Sequence, residues 1–292
     1  MKFNYCRMNI FNRLIIICCF VFFIACGNGI DSEKYEGTLT IYADINQEKF
    51  LNQFIPIFEN IHPKSKLKFE YLDAQRLIQL YFADSISNMI LSRDLTPTEL
   101  TYANQHRKLV SKQYYFADDA IAIISNKSNA DSVFNLKSNK KTLVISNYTK
   151  DYIKLIPLDT SLTSNIYALK SNEDVIDYVS KNDVIGFLPF SIFSNDKSLK
   201  HKELRNKIKL LKYQVNDSVF PLGQAYIFDF SYPLVTHTVL ITPKNPEPFL
   251  KLFSLFLFKE GTSRAILRYG LVPARLPERK VQLKSESFVI EK

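Results

Sequence analysis

The chain has 292 residues, with 38 Lys and Arg against 29 Asp and Glu, a net charge of +9. That length suits one large domain or two modest ones, and 46% apolar against 23% charged residues excludes a disordered chain. Only four of the seven glycines lie beyond Gly37, which excludes collagen-like, Gly-rich linker and Gly-rich phosphate-loop architectures, and with no Trp the aromatic packing rests on 23 Phe and 16 Tyr.

The first 26 residues hold all four cysteines, Cys6, Cys18, Cys19 and Cys26, together with Lys2, Arg7 and Arg13 and no acid. Leu14–Ala25 is an unbroken apolar run. A basic start, a short apolar run and small residues at its end describe a secretory signal. Twelve residues of helix span about 18 Å, well short of a hydrocarbon core of about 30 Å. The ending Phe23-Ile24-Ala25-Cys26 resembles a bacterial lipobox, which implies cleavage before Cys26 and lipidation of its sulfur. Several acyl chains would then hold the protein on a membrane. Removing residues 1–25 takes away three basic residues, so 35 remain against 29 acids, and Cys26 becomes the sole cysteine. No disulfide, thiolate nucleophile or Cys metal site is then expected.

Residues 26–36 read as a polar tether. Thr38–Tyr42 alternates as a strand does, and Gln47–Ile61 carries a helical apolar stripe that stops at Pro63. A strand Lys66–Leu72, a helix Gln75–Phe82 and a strand Ile86–Leu91 follow, then a helix opened by Thr96, Pro97 and Glu99 in a capping-box pattern. Asp119–Ser125 is a strand of the buried type. Strands Thr142–Ile145, Asn165–Leu169 and Val184–Leu188 flank a helix Asn172–Ser180. The chain closes with a strand Val235–Ile241 and helices Phe249–Lys259 and Thr262–Arg268. This alternation predicts an α/β fold with a largely parallel sheet.

Several segments fall in a telling order over residues 37–283. They are Ala43-Asp44-Ile45-Asn46 with a helix ending Phe58-Glu59-Asn60-Ile61-His62-Pro63, Leu91-Ser92-Arg93-Asp94-Leu95, Ala117-Asp118-Asp119-Ala120-Ile121, Val184-Ile185-Gly186-Phe187-Leu188, Ser231-Tyr232-Pro233-Leu234, and Gly270-Leu271-Val272-Pro273-Ala274. As an ordered set they resemble the type 2 periplasmic binding proteins, in particular the phosphate-binding receptors of ABC importers. The resemblance implies two α/β lobes around a ligand cleft, joined by two crossing hinge strands. Lobe one would comprise 37–125 plus 223–292 and lobe two 126–222.

Oxyanion receptors need N–H and O–H donors converging at helix N-termini. Asn46, in the loop after the first strand, is a candidate donor, or a helix N-cap. Ser92 and Arg93 follow an apolar strand and precede a helix, where open α/β sheets bind ligands. The Arg fork suits phosphate, although Arg93 could instead pair with Asp94 or Asp84. On lobe two Thr149 is a candidate donor in a loop, Ser146–Asp151, that lacks the glycine such receptors carry. Asp119 is a candidate cleft residue, and neighbouring Asp118 points to the opposite face, so the two are not a carboxylate dyad. Where the family has Arg after Tyr-Pro-Leu this chain has His237, and the last helix opens with Gly261-Thr262. The run Lys197–Lys212 holds seven basic residues and one acid, and reads as the solvated face of a helix with Leu199, Leu204, Ile208 and Leu211 inward. Its other reading is contact with lipid headgroups or nucleic acid, and export argues against nucleic acid.

His62, His106, His201 and His237 fall in no metal-ligand spacing, and no GxSxG elbow is present, so neither a metal, a cofactor nor an enzyme is expected. The leading expectation is a lipid-anchored receptor in the cell envelope. It would bind a small oxyanion, inorganic phosphate first, and deliver it to an ABC transporter permease by lobe closure. The alternative is a binding or scaffold lipoprotein on the same fold that has lost the oxyanion. An enzyme on this fold would need converging acid and base residues in the cleft.

Overall fold

Leu39, Ile41 and Ala43 alternate along β1 (Gly37–Asp44) and enter one core, as period-two spacing requires. The computed structural model describes residues 35–106, 111–147, 149–150 and 165–277. The signal, Cys26 and most of the tether lie outside the described residues. β1 pairs in parallel with β2 (Ser65–Leu72) and β3 (Met89–Leu91). The helix expected over Gln47–Ile61 is a 3-10 turn and two short helices, α1 (Glu48–Leu51) and α2 (Phe54–Ile61). Pro56 has no N–H to close a bond to the Asn52 carbonyl, and the break falls there. α3 (Ala74–Phe82) and α4 (Pro97–His106) cover the other face.

β4 (Ser111–Asn126) is sixteen residues long, more than twice the expected Asp119–Ser125 strand. Its first half pairs antiparallel with β12 (Val235–Pro243), which in turn pairs with β3. Its second half pairs antiparallel with β8 (Ile185–Pro189). β8 continues in parallel to β6 (Leu143–Ser146) and β7 (Ile166–Leu169). One strand therefore belongs to two half-sheets, and each half-sheet carries its own helices. That makes two lobes. α5 (Asn172–Lys181) covers the second half-sheet and starts in a full capping box of Ser171 and Asp174.

The basic run departs from expectation. It is α6 (Leu199–Lys207) followed by β9 (Ile208–Leu210), which pairs with the end of β4. Leu204, Ile208 and Leu211 are buried, but Leu199 is 77% exposed. Residues five apart lie about 140° apart around a helix, so Leu199 and Leu204 cannot share a face. A small sheet of β5 (Val133–Asn135), β10 (Lys212–Val215) and β11 (Ser218–Phe220) lies on this lobe.

The first lobe's core is built of Phe, as the lack of Trp demands. Phe50, Phe54, Phe58, Phe116, Phe253 and Phe256 are buried, and Phe58 meets Phe256 edge-on at 5.1 Å. Two of these rings come from α8 (Pro248–Phe256), and α9 (Glu260–Tyr269) adds Ile266 and Tyr269. The second core is mostly aliphatic, with Phe134, Phe187, Phe190 and Phe193 among it, and draws in Ile227, Tyr232 and Leu234 from the returning chain, which includes the short α7 (Gln224–Phe228). Tyr232 donates its hydroxyl to the Ile121 carbonyl at 2.8 Å. The Ile121 N–H bonds the Leu234 carbonyl at 2.9 Å, so both backbone groups of Ile121 face the returning chain. Tyr232→Phe leaves the Ile121 carbonyl unpaired at a crossing strand and is expected to cost about 1–2 kcal/mol, read by urea unfolding.

Candidate functional site

The carboxyl edges of β1 and β3 point at the second lobe, and the candidate residues gather there. Asp44, at the end of β1, is buried and caps the 3-10 turn behind it. Its carboxylate accepts from the Asn46 backbone N–H at 3.0 Å, from Asn46 Nδ2 at 3.1 Å and from Ser92 Oγ. The cap at this turn is thus Asp44 rather than Asn46. Burial pushes the Asp44 carboxyl up to about 6 despite these bonds. Two expected oxyanion donors, Asn46 and Ser92, therefore already serve an acid of the protein itself.

Arg93 is 3% exposed and grips Glu99 with both ends of its fork, at 2.8 and 3.0 Å. It also donates to the Asp94 carbonyl at 2.7 Å. Burial alone would raise Glu99, but the Arg93 bonds and the Thr96 N–H hold it below its ordinary value. The ion pair, buried at Arg93 and partly exposed at Glu99, joins the loop to the first turn of α4, where Thr96 and Glu99 form the capping box read from sequence.

Lobe two offers Thr149, which is buried. Its hydroxyl accepts from the Ser146 N–H at 3.0 Å and lies 3.1 Å from Ser146 Oγ. Ser146 Oγ in turn donates to Asn172 Oδ1 at 2.5 Å, and Asn172 Nδ2 donates across the cleft to Asn46 Oδ1 at 3.2 Å. One chain of hydrogen bonds thus runs Thr149, Ser146, Asn172, Asn46, Asp44, Ser92, from lobe to lobe. Beside it Lys49 of α1 pairs with Glu173 of α5, and Lys200 lies 3.9 Å from the same carboxylate. These pairs are half exposed, so each contributes under about 1 kcal/mol. A cavity of about 170 Å³ lies between the lobes, walled by Asn46, Lys49, Glu173, Ser191, Lys200 and His201.

Asp119 sits on the crossing strand. Its carboxylate accepts from the Ala120 N–H at 2.7 Å and from the Ser191 N–H at 3.0 Å, and burial raises it to about 6. Asp118 instead accepts from His237 Nδ1 at 2.7 Å, so the two acids are engaged separately. Among the described residues no group of three metal-ligating side chains occurs, and no helix is long and apolar enough to cross a membrane.

Sequence reasoning missed Lys49, Asn172, Glu173 and His201. Asn172 and Glu173 open a helix just after β7, a position that could have marked them. His201 falls in no ligand spacing in the sequence. In the structure its Nδ1 accepts the Asn195 N–H at 3.2 Å, and burial, with Lys49, Lys200 and Arg205 nearby, lowers its pKa. A neutral ring with that bond carries its proton on Nε2.

No family model matches the sequence, and no curated protein matches it. Solved structures do. A Clostridium perfringens protein described as a phosphate ABC transporter substrate-binding protein, with bound phosphate, matches with a TM-score of 0.64 at 15% identity, over 82% of this chain and 100% of that one. An ABC-type phosphate transport receptor from Vibrio cholerae matches at 0.63 and 15%, over 81% and 100%. An OxyR2 regulatory domain from Vibrio vulnificus matches at 0.53 and 11%, over 76% and 95%. At these identities the likeness speaks for architecture. The chain has the two-lobed α/β fold of the type 2 periplasmic binding proteins.

Proposed function

We propose that the protein is an extracytoplasmic lipoprotein, anchored through Cys26, that takes a small oxyanion between lobes 37–125 plus 223–292 and 126–222 and hands it to an ABC importer. Phosphate is the first candidate. The observation that carries this reading is convergence: Asn46 and Asn172, from opposite lobes, meet over a small cavity with Lys49, Lys200 and His201 on its walls. The work is differential binding and lobe closure, not covalent chemistry.

Asp44 sets the terms. An oxyanion that competes for Asn46 and Ser92 meets a carboxylate, so it enters with a proton on Asp44. Binding then tightens as pH falls. One observation favours the alternative, a scaffold that has lost its anion: helix N-termini on both lobes already carry acids of the protein, Asp73 on α3, Glu99 on α4 and Asp174 on α5. Thermal unfolding of the full-length chain with phosphate, arsenate, sulfate and simple carboxylates at pH 5.5 separates the two. A ligand at 100 times its Kd adds about 2.7 kcal/mol, a rise on the order of 5–10 °C. A rise with one oxyanion supports the receptor, and no rise with any supports the scaffold.

A further inference from the structure

A second cavity, of about 410 Å³, lies away from the interlobe cleft, where β4, β12, the segment after α7 and residues 272–274 meet. Its walls are aromatic. Tyr115 is 41% exposed, Phe228 50% and Phe230 60%. Large rings are seldom left so open together without a partner. Phe230 also sits at φ 54°, in the left-handed region that a bulky residue adopts only when held there. The following turn does the holding, with Asp229 accepting from the Ser231 N–H at 3.0 Å and from its hydroxyl at 2.6 Å.

The cavity floor is acidic. Asp118 is 7% exposed and lines it, paired with His237, whose ring meets Tyr115 edge-on at 5.6 Å and Phe230 at 6.1 Å. His237 is the one basic side chain among the lining residues. Asp229 stands between Phe228 and Phe230 in sequence; burial and then Asp94 raise the Tyr115 hydroxyl, and the bond to Asp118, with a smaller pull from Asp94, raises His237. Asp118 at the floor and Asp94 nearby thus act on one imidazole, on a chain whose net charge is +9. Ring faces carry negative charge and attract cations, and a buried carboxylate beneath them adds to that pull. A simple inorganic cation would gain little from the rings, and an anion would be repelled.

We propose that this groove binds a compact organic cation, an alkylammonium or guanidinium group, with Tyr115, Phe228 and Phe230 around the charge and Asp118 beneath it. The site is separate from the oxyanion cleft and does not depend on it.

The lack of Trp supplies the reporter. Phe230→Trp in the full-length chain introduces a single indole at the rim. Its emission is followed at pH 8 during titration with tetramethylammonium chloride and with arginine ethyl ester, against sodium chloride at matched ionic strength, sodium phosphate and benzyl alcohol. The expected result is a saturable change with the two organic cations only. Phe228→Ala, at an exposed position, should weaken it at least about fivefold, and Asp118→Asn about tenfold. A response equal to that of sodium chloride or benzyl alcohol, or an unchanged midpoint in the Phe228→Ala protein, would overturn the proposal.

Discussion

Asp44→Asn should raise affinity for phosphate at pH 8 by about a hundredfold. The carboxylate lies within hydrogen-bond distance of both Asn46 donors and of Ser92, so an oxyanion using those donors lies within about 4–5 Å of it. At an effective dielectric near 20, each pair of unit charges at that range repels by about 4 kcal/mol. Solvent in the cleft reduces this, and about 3 kcal/mol is a conservative remainder, equal to a hundredfold in affinity. The same substitution changes the pH dependence of folding. A carboxyl whose native pKa is raised to about 6 from 3.8 binds its proton more tightly when folded. Its contribution is fully present below the unfolded pKa and is lost as pH rises through the native one. The wild type should therefore lose up to about 3 kcal/mol from Asp44 between pH 4 and pH 6, and the Asn variant should not. Calorimetric titration reads the first effect and unfolding across pH reads the second.

Gly270→Ala should lower stability by about 3 kcal/mol, a fall in Tm on the order of 10 °C, and loosen the contact between lobes. Gly270 ends α9 with φ at 101°, which costs an L-residue about 1–2 kcal/mol. A methyl group there would also sit 2.7 Å from the Ser194 carbonyl carbon. That neighbour is backbone and cannot rotate away. Ser194 belongs to the loop after β8, and its hydroxyl donates to the Tyr269 carbonyl at 3.0 Å, so the clash falls where the lobes touch. Differential scanning calorimetry reads the loss. An unchanged Tm would mean that the two segments are not in contact.

Much of the fold was legible because local pattern and global packing agree. The alternation of strand and helix, the capping box at Thr96 and the buried strand from Asp119 all follow from neighbours in sequence. The element boundaries that shifted did so for tertiary or local reasons. β4 extends back to Ser111 because β12 offers it a partner, and Pro56 divides a stripe that looked continuous. The site was legible only as positions. Ser92, Arg93, Asn46, Thr149 and Asp119 all lie where strand ends face the cleft or the crossing, yet their partners come from far along the chain. Nothing in Ser92-Arg93 announces that Ser92 will serve Asp44, forty-eight residues away. Glu99 reads from its spacing as a cap, and it is also the counter-ion of Arg93. The pairing of Lys49 with Glu173 joins residues 124 apart and has no local signal.

The central claim is an interlobe oxyanion site whose own carboxylate competes with the ligand. Phosphate titrated calorimetrically into the full-length wild type and the Asp44→Asn variant, at pH 5.5 and pH 8, tests it most directly, with sulfate as a ligand whose charge is constant over this range. The account predicts wild-type binding at pH 5.5 that weakens about a hundredfold at pH 8, and similar binding at both pH values in the variant. Wild-type affinity that ignores pH, or no heat from either protein at either pH, would contradict it.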